Sequence, residues 1–428
     1  MTTSAITPLE FQSNWKPKFF TIWGGQAVSL VGSALVQFAL VWWLTIETGS
    51  ATILATATLV ALLPQIFLSP FIGALVDRWD RRVIMILADT FIALATGLLI
   101  ILFVMDLVTV WHIYLLLFVR SLGSAFHYPA MAASTSLMVP EQHLARLAGM
   151  NQTLQGTINI FAPPLGALFL DLMTTQHVLA IDIGTALLAV VPLLFIAIPQ
   201  PQSQKVISED TGGKPSYWQD LREGFHYVVR WPGLLGIILL AMMLNFLLSP
   251  TSALAPLVVT DIFHKGALEL GWTRAVFGAG TILAGVILSL WGGFKRRILT
   301  SLTGVIGLGL GVILFGLAPA DIFSLLLVAS FFQGFAVVFA NGPLQAIFQS
   351  TVAPDVQGRV FSLTGAGSAA MMPLGLMIAG PIADWLGVQF WYIFGGGICI
   401  LTTLVAFFIP TIMNIEQNQS SENVPIPN

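Results

Sequence analysis

Long apolar runs, separated by short charged segments, leave this chain few ways to fold. They lie near residues 19–46, 51–76, 83–105, 109–138, 146–171, 178–199, 234–260, 270–292, 298–318, 322–350, 359–383 and 388–413. A helix rises about 1.5 Å per residue, so about 20 apolar residues cross the hydrocarbon core of a bilayer. Lipid cannot satisfy backbone N–H and C=O groups, which restricts spanning structures to helices and closed barrels. These runs lack the alternation of barrel strands. Helices remain, and the longest runs imply tilt or protruding ends. Charged residues make up 9% of the 428, against about 25% in a soluble domain. The expected class is an all-α membrane protein with twelve transmembrane helices.

One long polar stretch interrupts the pattern, after the sixth run. The chain therefore divides into a tail at 1–18, a six-helix bundle at 19–199, a linker at 200–233, a second six-helix bundle at 234–413 and a tail at 414–428. The run from 19 to 46 is too long for a signal-peptide core of about 7–15 residues and reads as the first span. In the linker, Trp218, Leu221, Phe225 and Val228 recur at helical spacing. That suits an amphipathic helix on the membrane surface; an ordinary linker is the alternative.

The basic residues orient the chain. With the N-terminus in the cytoplasm, 14 of the 17 Lys and Arg residues fall on cytoplasmic segments, including Arg78, Arg81, Arg82, Arg146, Lys295, Arg296, Arg297 and Arg359. Lys265 and Arg274 fall outside, and Arg120 lies within a span. This asymmetry is the positive-inside signature, with both termini cytoplasmic. The halves also repeat. Pro129 and Pro343 are 214 residues apart, as are Pro140 and Pro354, while Arg146–Arg359 and Asp171–Asp384 are each 213 apart. Duplicated bundles with a site at the repeat interface are a transporter architecture.

Between the second and third runs the chain reads Gly73-Ala-Leu-Val-Asp77-Arg78-Trp-Asp80-Arg81-Arg82. It resembles the G-x-x-x-D-R-x-x-R-R/K signature of the major facilitator superfamily, at that family's position. The resemblance implies a fold of two pseudo-symmetric six-helix bundles. It also implies a gating role for Gly73, Asp77, Arg78, Arg81 and Arg82, which latch the cytoplasmic side through the eleventh helix. The second-half counterpart, Trp291-Gly-Gly-Phe-Lys295-Arg296-Arg297, lacks the aspartate. Arg120-Ser-Leu-Gly123 resembles a motif linked to proton coupling. Gly156 through Ala162-Pro163-Pro164-Leu165-Gly166-Ala167 resembles the antiporter motif, with alanines replacing two glycines. Together with Asn14-Trp15-Lys-Pro-Lys-Phe, Trp23-Gly-Gly-Gln26, Arg120 through His127 and Gly358-Arg359-Val-Phe, these stretches resemble bacterial macrolide-efflux (Mef-type) permeases. The resemblance implies drug export from the bacterial inner membrane, coupled to proton entry. Siderophore or metabolite export is the alternative on the same fold.

Polar side chains inside lipid face protein or a water-filled path. Gln26, Ser29, Ser33 and Gln37 form one stripe on the first span, and Arg120, Ser124 and His127 another on the fourth. Asn245, Ser249 and Ser252 follow on the seventh, and Ser330, Gln333, Asn341 and Gln345 on the tenth. The helical period puts each set on one face. These stripes make Gln26, Ser33, Gln37, Asn245, Gln333 and Asn341 candidates for a substrate cavity, with Trp42, Phe246 and Phe339 as walls. Serines that bond their own helix give the competing explanation. Arg120, Asp89, Asp182 and His127 are the proton-coupling candidates. Asp89 could instead pair with Arg81 or Arg82, and His127 could be a satisfied core residue.

The motif search excludes other classes. There is no H-E-x-x-H pair, G-x-S-x-G elbow or Walker A lysine, so an enzyme is not expected. Cys399 is the single cysteine, and the net charge of −3 gives no basic field for nucleic acid. No cofactor is expected beyond the proton gradient as energy source. The expected partners are a small-molecule substrate and the lipid bilayer, with the chain acting as a monomer. A partner ATPase is not legible in the sequence.

Overall fold

The apolar runs become helices because a helix satisfies its own backbone. The computed structural model describes residues 15–76, 79–200, 225–352 and 356–416. In chain order the long helices are α1 (Trp15–Thr48), α2 (Ala51–Val76), α3 (Arg81–Val104), α4 (Val110–Met138), α5 (Leu144–Leu172) and α6 (Thr175–Phe195). The second series is α7 (Pro232–Leu257), α8 (Ala267–Trp291), α9 (Arg297–Leu317), α10 (Phe323–Thr351), α11 (Gln357–Leu386) and α12 (Val388–Phe407). Among the described residues there is no strand, as the all-α class requires. Ten of these helices are long and apolar enough to cross a membrane. The other two, α4 and α5, carry several polar residues along their length, including Arg120, His127, Gln152, Gln155 and Asn159. The count of twelve spans thus stands at ten on apolar length alone.

Local chemistry sets the joints. Asp80 caps α3, its carboxylate accepting from the N–H of Arg82 at 2.9 Å and of Val83 at 3.3 Å, which satisfies two otherwise orphaned donors. Gly387 joins α11 to α12 at a φ of 87°, a region L side chains avoid. At the end of α7, Pro256 is followed by a π-helical turn, Val258–Ile262.

The chain forms two compact units. Unit 1 comprises Met1–Gly49, Thr56–Val206 and Lys265–Gly271; unit 2 comprises Ser50–Ala55, Ile207–His264 and Trp272–Asn428. In unit 1, α1 packs on α5 and α6, and α3 packs on α4 and α6. One of its cores gathers Phe19, Ile22, Ile72, Met85 and Leu193. In unit 2, α9 packs on α10 and α12, and α7 on α11. There Leu234, Ile298, Ile347, Val360 and Ile412 form a core. Asp384, at the end of α11, accepts from the backbone of Ala51 at 2.6 Å and Thr52 at 3.0 Å, and from the Ser50 hydroxyl at 2.9 Å.

The expected surface helix of the linker lies mostly outside the described residues. Residues 225–230 are helical, with Phe225 exposed and Val228 buried in the unit 2 core.

Candidate functional site: a two-tier polar ladder in unit 1

Spacing of seven residues, about two helical turns, returns side chains to nearly the same face. Three helices of unit 1 use it. Helix α1 presents Gln26 and Ser33, α3 presents Asp89 and Thr96, and α4 presents His127 and Arg120. Because α4 runs antiparallel to α1 and α3, the three pairs assemble into two tiers rather than one cluster.

The Arg120 tier is a closed ion pair. Arg120 Nη1 donates to Asp182 Oδ2 at 2.5 Å, and Asp182 is 2% exposed. The same Nη1 lies 3.3 Å from Thr96 Oγ1, and Nη2 donates to the Ser33 carbonyl at 3.3 Å. Ser33 donates its hydroxyl to the other carboxylate oxygen, Asp182 Oδ1, at 3.2 Å. A buried ion pair of this kind stands only when its remaining donors and acceptors are also satisfied, and here four helices supply the partners. Asp182 is packed inward on α6, beside the buried Val178 and Leu179.

The His127 tier is open. Gln26 Nε2 donates to Asp89 Oδ2 at 3.2 Å. His127 Nε2 lies 3.6 Å from the same oxygen, beyond hydrogen-bond length, and is otherwise unpartnered among the described residues. Asp89 thus faces Gln26 and His127, not Arg81 or Arg82. Gly123 lies between the tiers on α4. A Cβ there would come within 2.6 Å of the Ile92 side chain, so glycine sets how closely α4 approaches α3.

Arg81 and Arg82, in the first turn of α3, reach the backbone of α4 and α6. Arg81 Nη1 donates to the Ala133 carbonyl of α4 at 3.0 Å. Arg82 donates through Nε to the Leu193 carbonyl and through Nη2 to that of Leu194 at 2.5 Å, near the end of α6. Cations at helix C-termini oppose the negative dipole end. Gly73 lies within α2; Asp77 and Arg78 lie outside the described residues.

The substrate candidates separate. Asn245 and Asn341 line one cavity of unit 2. Gln333 donates to the Gly311 carbonyl at 3.1 Å, tying α10 to α9. Phe246 meets Trp391 edge-on at 6.3 Å between ring centroids, and Phe339 stacks on Phe335 at 4.9 Å. Gln37 is exposed and Trp42 half-buried. Thr96 was not singled out by the sequence. Its only signal is the seven-residue spacing from Asp89.

The major facilitator superfamily model matches residues 22–254 and 249–425. The chain belongs to this family. It is 37% identical to macrolide efflux protein A of Streptococcus pyogenes, over 95% of this chain and all of that protein. Identity to macrolide efflux protein A of Enterococcus faecalis is 36%, over 77% of this chain and all of that protein. The multidrug efflux pump Tap of Mycolicibacterium fortuitum is 25% identical, over 90% of this chain and 94% of its own length. Among solved structures, the nucleoside transporter NupG aligns with a TM-score of 0.65 at 13% identity, covering 92% of this chain and 98% of that one. The D-xylose-proton symporter aligns at 0.63 and 13%, with the same coverage. The superfamily's fold and its transporter character therefore extend to this chain.

Proposed function

We propose that this chain exports macrolide-type antibiotics from the bacterial cytoplasm in exchange for protons, by alternating access. It would act in the inner membrane with both termini cytoplasmic. Full-length similarity to macrolide efflux proteins supports the substrate class. The proton part is carried by one observation: the buried Arg120–Asp182 pair, with His127 two turns away from Arg120 on α4 and Asp89 beside His127 on α3.

Arginine keeps its proton, whereas a carboxylate can gain one. Proton arrival at Asp182 removes the charge that holds Arg120. The guanidinium then keeps the Ser33 carbonyl and the Thr96 hydroxyl as partners. His127 stands about 10 Å further along α4 than Arg120, and Asp89 the same distance along α3 from Thr96, at the rise of seven residues. They form the second proton station, and their 3.6 Å gap can close when His127 is protonated. The ladder thus offers two carboxylates whose occupancy changes the internal ties of unit 1. Gly73, Asp77, Arg78, Arg81 and Arg82 serve as the cytoplasmic latch.

The test uses everted vesicles from an efflux-deficient bacterium, energised to an inward-acid gradient. Radiolabelled erythromycin should accumulate, and a protonophore should abolish the accumulation. Asp182→Asn and Asp89→Asn should each lower the initial rate at least tenfold with unchanged membrane levels of protein. Accumulation that persists with the protonophore would overturn the antiport reading. Transport of a siderophore with no transport of erythromycin would overturn the substrate assignment.

A further inference from the structure

Unit 2 contains a cavity of about 280 Å³ between α7, α9 and α10. Its wall is aliphatic except for Asn245 and Ser249 of α7, Ser301 of α9 and Asn341 of α10, and no charged residue lines it. Each of these four residues already donates a hydrogen bond to a backbone carbonyl. Asn245 Nδ2 donates to the Ala241 carbonyl at 2.9 Å, and Asn341 Nδ2 to that of Val337 at 3.0 Å. Ser249 donates to the Asn245 carbonyl and Ser301 to the Ala340 carbonyl. Turning either carboxamide over would bring two oxygens to the same separation, so each Oδ1 stays away from its own helix.

This arrangement leaves an imbalance. A serine hydroxyl has one proton, and both are engaged; each asparagine retains one N–H. All four side-chain oxygens keep free lone pairs, and neither carboxamide oxygen accepts from a described residue. The cavity is therefore apolar, uncharged and richer in acceptors than in donors. An anion would find no cation there. A group bearing O–H or N–H⁺ would find acceptors.

We infer that this cavity is a ligand pocket for a compact apolar group carrying hydrogen-bond donors, a hydroxyl or a protonated amine. Its volume lies just below the usual range of ligand pockets, about 300–1,000 Å³. It holds one ring or cage, so a large substrate would insert one of its groups. Only the physiological ligand rests on the export reading, under which that group would be the hydroxylated amino sugar of a macrolide.

The test is equilibrium binding to the purified full-length chain in lipid nanodiscs, with empty nanodiscs subtracted. The probes are 1-adamantanamine, 1-adamantanol, N,N,N-trimethyl-1-adamantylammonium and 1-adamantanecarboxylate. The amine and the alcohol should bind saturably. The trimethyl cation, which keeps the charge and loses the donors, and the carboxylate should bind at least tenfold more weakly. Asn245→Ala combined with Asn341→Ala should weaken the amine about tenfold. Ala241→Phe, which fills the cavity from α7, should abolish binding of both amine and alcohol. Equal binding of all four probes, no saturable binding, or binding unchanged in both variants would overturn the proposal. If the wild type exports no macrolide but binds the amine and alcohol through this pocket, the export reading falls and the pocket stands. If it exports macrolide while the variants change neither binding nor export, the pocket alone falls.

Discussion

Arg120 sits in the middle of a helix, where an arginine costs about 2.5–3.5 kcal/mol to insert. The carboxylate, hydroxyl and carbonyl around it offset that cost. Removing one member of a buried pair leaves the other uncompensated, typically at about 3–5 kcal/mol. Arg120→Ala and Asp182→Ala should therefore each lower the thermal midpoint of the detergent-solubilised protein. The double variant should recover most of that stability, because neither charge remains. Export in vesicles should stay lost in all three. Recovery of export in the double variant would make the pair purely structural. The sequence shows that Arg120 needs a partner, and Asp182 is among the visible carboxylates. Their pairing is not legible, because they lie on different helices, 62 positions apart. Thr96 is still less visible: its hydroxyl also donates to the Ile92 carbonyl at 2.9 Å, as an ordinary helix-bonded threonine does.

Helix pairing within each unit depends on where side chains are missing. In unit 2 a Cβ on Gly334 of α10 would lie 1.9 Å from the Phe277 carbonyl oxygen of α8. Gly280 of α8 meets the Phe331 carbonyl of α10 in the reciprocal way, at 2.2 Å. Small residues that let backbones approach are the main packing device in lipid. Gly334→Ala should force α8 from α10 and cost about 1–3 kcal/mol, as overpacking does. Gly285→Ala, on the same α8 helix with nothing within 4 Å of its Cβ, should instead stabilise by up to about 1 kcal/mol. Thermal unfolding of the two variants checks the contrast; equal effects would exclude close approach as the cause. The helices themselves are legible as apolar runs, but their ends are not. Helix α1 is already formed at Trp15, ahead of the apolar run at 19, so Lys16 and Lys18 are helical. Hydropathy marks where lipid can begin, whereas the backbone keeps its hydrogen bonds further on. The glycine contacts escape the sequence because Gly334 and Gly285 look alike there.

At the scale of the whole molecule, the expected twelve crossings and the charge asymmetry make one joint claim, and α4 is one of its two weakest points. It carries Arg120 and His127 and is not among the helices apolar enough to span on composition. Yet its 29 residues extend about 44 Å at the helical rise, longer than a hydrocarbon core of about 30 Å. Its flanking positions discriminate. Leu107, before α4, is exposed, as is Gln142, after it. If α4 crosses, and if 14 basic residues mark the cytoplasmic side, these positions face opposite compartments. Cys399 is fully buried, so Cys399→Ala provides a cysteine-free background. In intact cells an impermeant maleimide should label Leu107→Cys and spare Gln142→Cys. In everted vesicles the preference should reverse. Labelling of both positions from one side would mean that α4 does not span. The exchanged pattern would invert the topology and put the His127 tier, rather than the Arg120 tier, nearer the proton source. That would also reverse the order in which the ladder receives its proton, because the tiers are fixed to opposite halves of the same helix.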